Sequence, residues 1–382
     1  MKRWIAAACA ALMLTALLPA RAYGVELPIR SEAALLMEKE TGRVLYAKNE
    51  HEKLEPASVT KIMTLLLTME AIDSGALAYD DMVTASDYAS SMGGSQIFLA
   101  PGEQMTVEDL LKGVCVASGN DASVALAEHL AGVTELFVDR MNNRARELGM
   151  NDTHFVNCNG LPAEGHLTSA WDIALMSREL ILRHPDIRRY TTIWMDTLRD
   201  GASELSNTNK LIRFYEGATG LKTGSTSSAG YCISATAERD GMELIAVTLK
   251  ADTSQDRFED AKTLLNYGFS TYTLLDAPEG AELPPIPVEL GVSAAVQPEV
   301  PEAERRVLTE RSRAADVERT VTLAESLEAP VEKGARLGEI TLTSGGEVLA
   351  SVPLVAAAEV PRLTWGQIFL SLLRLVLPIK GE

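Results

Sequence analysis

Cysteine is scarce in this chain: four residues in 382, at positions 9, 115, 158 and 232, with no C-x-x-C spacing. That excludes a zinc knuckle and a dithiol redox motif. Histidine is nearly as rare. His51, His129, His154, His166 and His184 form no H-E-x-x-H and no other tight ligand spacing, so a metal-dependent enzyme finds no support and no cofactor is expected. Positive charge is short as well. Lysine and arginine number 35 against 53 aspartate and glutamate, a net charge of −18. So acidic a chain excludes nucleic acid and anionic lipid as general electrostatic partners. No apolar run is long enough for a membrane-spanning helix, which needs ~20 residues.

What is present begins at the N-terminus. M-K-R precedes an apolar stretch, W-I-A-A-A-C-A-A-L-M-L-T-A-L-L-P-A, that ends at A-R-A. The pattern predicts a secretory signal peptide over residues 1–22, cut after Ala22; an uncleaved anchor helix is the alternative. Cleavage removes Lys2, Arg3 and Arg21 and no acid, taking the net charge from −18 to −21. Cys9 leaves with the leader. Cys115, Cys158 and Cys232 remain, as buried free thiols or as one disulfide with one thiol left over.

Residues 33 to 48 predict two strands around Glu40-Thr41-Gly42. A helix is expected from Ser58 to Asp73. Residues 106 to 117 follow as a helix opened by Thr106 and Asp109, and another runs from the S-G-N break at 118–120 to Gly132. Residues 134–148 and 168–184 are two further amphipathic helices. G-L-K-T-G, A-G-Y-C-I-S-A-T-A and M-E-L-I-A-V-T-L-K are strand candidates, the last two joined by an Arg239-Asp240-Gly241 hairpin turn. A helix from Ser254 to about Asn266 is expected to stop at Gly268. Strands at both ends with helices between them give an α/β (α+β) fold, an antiparallel sheet covered by helices. After the proline-rich break at 277–286, short β-like runs predict a small all-β domain. The last segment places Trp365, Ile368, Phe369, Leu372 and Val376 on one helical stripe. This suits a helix lying in a membrane interface, or a terminal helix packed on a neighbouring domain or subunit.

Three short motifs carry chemistry. In P-A-S-V-T-K, Ser58 and Lys61 stand three apart, so the amine lies beside the hydroxyl on one helix face. A serine needs a proton acceptor to become a nucleophile, and a desolvated lysine near another cation can serve. Free N–H groups at the helix start suit an oxyanion. Ser118-Gly119-Asn120 breaks a helical segment and can aim its side chains into a cleft. Lys222-Thr223-Gly224 ends a strand. Each pattern alone reads as a cap, a loop or a strand terminus.

Together, in the order S-x-x-K, S-x-N, K-T-G, they resemble the active-site set of penicillin-recognising serine enzymes. The surroundings P-A-S-V-T-K-I-M-T, V-A-S-G-N-D-A-S-V-A-L-A-E, G-L-P-A-E-G-H-L-T-S-A-W-D and G-L-K-T-G-S-T-S-S-A-G-Y-C look like the low-molecular-weight D-alanyl-D-alanine carboxypeptidases, from about Ser31 to Tyr272. The resemblance implies a β-lactamase/transpeptidase-like domain over 31–275, an all-β domain over 280–360 and an amphipathic membrane-anchoring helix over 363–380. It implies export to the outer face of the cytoplasmic membrane. Its implied partners are peptidoglycan stem peptides, β-lactam antibiotics and the membrane surface. By position, Ser58 would attack the carbonyl between the two terminal D-alanines and Lys61 would take its proton. Ser118 would relay a proton to the leaving group, with Lys222 keeping the field positive. Asn120 would bind the substrate amide and help hold Lys61. Thr223 would bind the terminal carboxylate, and Gly224 would leave room along the strand edge. The N–H groups of Ser58 and Ser225 would form the oxyanion hole. Arg257 would add a carboxylate contact, or stand as an exposed helix arginine.

Rival readings leave marks that can be checked. A serine β-lactamase wants a separate glutamate in an E-x-x-x-N loop well before K-T-G, and Glu204 lies only 18 residues before Lys222. A D,D-endopeptidase would use the same groups on cross-links. A metallopeptidase lacks ligands, and His166 is read as packing the helix start near the cleft. A non-catalytic wall-binding protein would not need three intact motifs.

Overall fold

The computed structural model describes residues 25–376. The leader expected over 1–22 and the last part of the helix expected over 363–380 lie outside the described residues.

Five antiparallel strands form the central sheet: β1 (Ala33–Glu38), β2 (Val44–Lys48), β3 (Ala218–Thr226), β4 (Gly230–Arg239) and β5 (Met242–Ala251). Their order is β2-β1-β5-β4-β3, which leaves β2 and β3 as edges. The first turn closes around Glu38, whose buried carboxylate accepts from the N–H groups of Glu40 and Thr41 and from the Thr41 hydroxyl at 2.8, 2.7 and 2.6 Å. At the β4–β5 turn Asp240 and Gly241 have φ of 51° and 73°. Two positive φ values in a row give the twist a two-residue hairpin needs.

Helices cover both faces: α1 (Lys61–Asp73), α2 (Val107–Cys115), α3 (Asn120–Ala131), α4 (Thr134–Glu147), α5 (Ala170–Arg183) and α6 (Ser254–Thr271). Successive strand side chains point to opposite faces, and the core divides accordingly. Leu35, Ile245 and Val247 join Ile62, Leu65, Leu66 and Ile173 in the larger core. Leu36, Leu244 and Ala246 join Phe258, Leu264 and Leu265 of α6 in the smaller one. Each of the larger side chains, the leucines, isoleucines, valine and phenylalanine, contributes about 1.5–3 kcal/mol when fully buried.

Two expectations need correction. The helix expected from Ser58 opens as a 3-10 turn, Ala57–Thr60, and becomes α-helical only at Lys61. Ala57 enters it with φ 48°, a left-handed conformation that costs an L-residue roughly 1–2 kcal/mol. Gly268 does not end α6. It lies inside the helix, where a Cβ would meet Leu244 at 2.4 Å and Leu36 at 3.0 Å. It is a packing glycine that lets α6 lie close on the sheet.

The chain leaves α6 directly into β6 (Tyr272–Asp276), which pairs antiparallel with β7 (Arg306–Glu310). β8 (Val317–Leu323), β9 (Arg336–Ser344), β10 (Glu347–Ala356) and the short strand Pro298–Glu299 form a four-stranded sheet over Ile340, Leu342, Val352 and Leu354. α7 (Trp365–Val376) follows. Trp365, Phe369 and Leu372 on it are exposed. No helix among the described residues is long and apolar enough to cross a membrane.

Candidate active site

The cleft forms where the 3-10 turn and the start of α1 meet edge strand β3. Ser58 is half-buried on that turn, and Lys61, one turn on, is completely buried. Lys61 Nζ lies 3.0 Å from Ser58 Oγ, 2.6 Å from Asn120 Oδ1 and 2.6 Å from the Asn159 carbonyl. Asn120 opens α3, and its Nδ2 donates to the Gly93 carbonyl at 2.6 Å. That fixes the amide so that its oxygen faces Lys61.

Lys61 has no carboxylate partner among the described residues. Burial first, and then the positive charge of Lys222, push its pKa well below the ordinary lysine value. Nζ faces three oxygens, and with the proton shed its two N–H bonds can stay on Asn120 Oδ1 and the Asn159 carbonyl while the lone pair faces the Ser58 hydroxyl.

Lys222 is buried on β3 and donates to the Thr223 carbonyl at 2.9 Å. Burial, aided by the nearby Arg257 guanidinium, pushes it down to about 7. Thr223 Oγ1 bonds Thr208 Oγ1 at 2.7 Å, and Thr208 N–H donates to the Val116 carbonyl at 3.2 Å. This link ties β3 to the segment that carries Ser118. Ser118 is buried with φ 63° at the α2–α3 junction.

Gly224 and Gly160 hold the Ala57–Ser58 peptide from opposite sides. A Cβ on Gly224 would stand 2.8 Å from the Ser58 nitrogen, and one on Gly160 would stand 1.9 Å from the Ala57 oxygen. Gly160 also has φ 84°. Glycine at both places lets three backbone segments converge. Ser225 is exposed on the outer edge of β3.

Arg257 is not an exposed helix arginine. It is buried beneath β3, with Nη1 donating to the Gly224 carbonyl at 2.9 Å and the Cys232 carbonyl at 3.4 Å. Its Nε has no partner, and burial lowers it to about 10. Glu204 is exposed on the ribbon formed by Met195–Leu198 and Ser203–Ser206.

Sequence reasoning missed Asn159, Gly160 and Thr208. Asn159 and Gly160 sit in N-C-N-G-L-P, where Asn157 Oδ1 accepts from Gly160 N–H at 2.7 Å in an Asx turn. That turn was the available signal. Thr208 lies between two asparagines, Asn207 and Asn209, that shape its loop. The three cysteines are free and buried. Burial pushes Cys115 up to about 12 and Cys158 and Cys232 up to about 11, so they remain thiols. Among the described residues no cluster of three or more His, Cys, Asp or Glu could hold a metal ion.

A serine hydroxyl beside a buried amine whose pKa is pushed down is the arrangement that activates a serine nucleophile. Comparison with known proteins narrows the class. Residues 21–253 match the family described as D-alanyl-D-alanine carboxypeptidase, and residues 277–362 match the C-terminal domain of penicillin-binding protein 5. The D-alanyl-D-alanine carboxypeptidase DacF of Bacillus subtilis is 42% identical over 341 residues, 88% of this chain and 87% of its own length. The structure of penicillin binding protein 5 from Haemophilus influenzae, 31% identical, superposes with a TM-score of 0.76 over 89% of this chain and all of its own. Penicillin-Binding Protein D2 from Listeria monocytogenes in its cefotaxime-bound form, 34% identical, covers 64% of this chain and 99% of its own, with a TM-score of 0.60. The chain belongs to the D-alanyl-D-alanine carboxypeptidase family.

The electrostatics make a pH prediction. Lys222→Gln removes the charge that repels a proton on Lys61, so the Lys61 pKa rises and a higher pH is needed to free its lone pair. The acid limb of penicillin acylation should move to higher pH. A limb that stays in place contradicts this coupling.

Proposed function

We propose that the protein removes the terminal D-alanine from peptidoglycan stem peptides through an acyl-enzyme on Ser58, and that β-lactams trap it by acylating the same oxygen. The observation that carries the reading is the 3.0 Å contact between Ser58 Oγ and a lysine with no counter-ion. As Oγ attacks the carbonyl between the two D-alanines, its proton passes to Lys61 Nζ. Negative charge develops on the carbonyl oxygen, and the N–H groups of Ser58 and Ser225 stabilise it. Collapse of the adduct breaks the C–N bond. Ser118 gives its proton to the departing amine and takes in its place the one held on Lys61, while Lys222 keeps the field positive, and D-alanine leaves. Water then breaks the ester and restores the hydroxyl.

The remaining roles follow from place. Asn120 holds Lys61 through its oxygen and offers an amide to the substrate backbone. Edge strand β3 offers its free side to an extended peptide, with Gly224 allowing close approach. Thr223 binds the terminal carboxylate. Arg257 acts from beneath the strand by keeping the pocket positive, since its Nη1 is already committed to backbone carbonyls.

The enzyme works outside the cytoplasm, where its substrate is. The leader pattern at 1–22 supports export. We assign catalysis to residues 31–275, a spacer role to the β unit over 280–360, and attachment to the outer face of the membrane to the helix over 363–380. The exposed Trp365, Phe369 and Leu372 support that attachment.

Incubation with a D-alanyl-D-alanine peptide should release free D-alanine, and Ser58→Ala should lower the rate by about 10³-fold or more. A fluorescent penicillin should leave a long-lived label on wild type and none on Ser58→Ala. Equal labelling of the two removes Ser58 as nucleophile. Rapid turnover of the penicillin favours a β-lactamase instead, and cleavage of cross-links without D-alanine release an endopeptidase. Deletion of 363–382 should move the protein from the membrane fraction to the soluble one; a truncated protein that still pellets with membranes disproves the anchor.

A further inference from the structure

The Ala57–Ser58 peptide bond is held by a relay that starts in the loop after α4. His154 and Leu167 pair as an isolated bridge and close that loop. His166, buried inside it, accepts at Nδ1 from the Val156 N–H at 2.9 Å. In a neutral ring the proton must then sit on Nε2. Nε2 lies 2.7 Å from Thr60 Oγ1, so the ring donates and the hydroxyl oxygen accepts. The Thr60 hydroxyl is left with one direction for its own proton, and it donates to the Ala57 carbonyl at 2.8 Å. Every donor in the chain Val156, His166, Thr60, Ala57 points the same way. Burial lowers His166 to about 4, so the ring keeps this tautomer at neutral pH.

The relay ends on the carbonyl of the residue before the nucleophile. In a trans peptide unit the C=O and the following N–H point in opposite directions. Pinning the Ala57 oxygen toward Thr60 therefore aims the Ser58 N–H the other way, toward Gly224 and the free edge of β3. We infer that Thr60 and His166 are positioning residues for the oxyanion hole: they hold the left-handed Ala57 and turn the Ser58 N–H to the place where the carbonyl oxygen gains charge. Neither touches substrate. The inference rests on the reading of Ser58 as the nucleophile and its N–H as an oxyanion donor.

The same loop brings the Asn159 carbonyl to Lys61 and sets Gly160 against the Ala57 oxygen. One hairpin thus holds the general base and the oxyanion donor in a fixed relation. The two functions can be separated, because Thr60 Oγ1 makes no contact with Lys61 Nζ.

The test is the acylation time course with a penicillin, separated into the non-covalent dissociation constant and the acylation rate constant. A rate constant is indifferent to the fraction of molecules folded. Losing one oxyanion donor outright slows acyl transfer about 10²–10³-fold. Misaiming it by Thr60→Val, which removes the hydroxyl and keeps the shape, should cost about 10–100-fold in the acylation rate constant. The dissociation constant should stay within about threefold. Thr60→Ser should restore the rate. His166→Leu should behave like Thr60→Val, and His166→Gln, whose amide N–H can still donate to Thr60, should retain most of the activity. Thr60→Val acylating at the wild-type rate overturns the inference, as does a loss that falls on the dissociation constant alone or that Thr60→Ser fails to restore. If Ser58→Ala still labels, the underlying reading fails; if Ser58→Ala is silent and Thr60→Val is normal, only the relay fails.

Discussion

The structure depends on a buried amine with no counter-ion. Moving an ammonium out of water costs several kcal/mol even after relaxation, and an ion pair or a shed proton is the usual remedy. Lys61 has no ion pair, and its pKa is pushed well below the ordinary lysine value. It is enclosed by the larger core, held by two neutral acceptors, and placed near a second buried lysine. Asp121, whose charge acts on Lys61 through space, is spent on the N–H groups of Ile97, Leu99 and Ala122. A carboxylate bonded to Lys61 would hold the amine charged and remove the base from Ser58. The cost of burial is therefore part of the chemistry, and the surrounding fold offsets it.

The fold meets that cost by convergence. The 3-10 turn brings Ser58, the start of α1 brings Lys61, the α2–α3 junction brings Ser118 and Asn120, β3 brings Lys222 to Ser225, and the loop after α4 brings the Asn159 carbonyl. The segments approach closely only because Gly160 and Gly224 lack a Cβ. β3 is an edge strand, so one side of it has no neighbouring strand beside Ser58. Such an edge is a liability on an ordinary sheet, and in the proposed function it receives an extended peptide.

Much of this was legible in the sequence, for physical reasons. The strands alternate cleanly between two cores, the D-G turn has one good geometry, and S-x-x-K has one spacing that joins hydroxyl and amine. What stayed hidden depends on backbone rather than side chains. The Asn159 carbonyl could have come from any residue, so no letter marks it. The 3-10 opening of α1 follows from the left-handed Ala57, a conformation that alanine does not advertise. Gly268 reads as a helix stop by composition, but contact with Leu36 and Leu244 overrides that local preference. Arg257 is expected as a carboxylate contact or an exposed helix arginine, and is instead drawn under β3 by two carbonyls. His166 could be placed near the helix start from its sequence neighbours; its link through Thr60 to the Ala57 oxygen could not.

The most direct measurement is the titration of the lysine side chains by NMR, with the Cε carbons labelled and Lys61 assigned by Lys61→Arg. The account predicts that one resonance, lost in that variant, titrates well below the ordinary lysine range. A Lys61 resonance that titrates together with the surface lysines near 10 would contradict it.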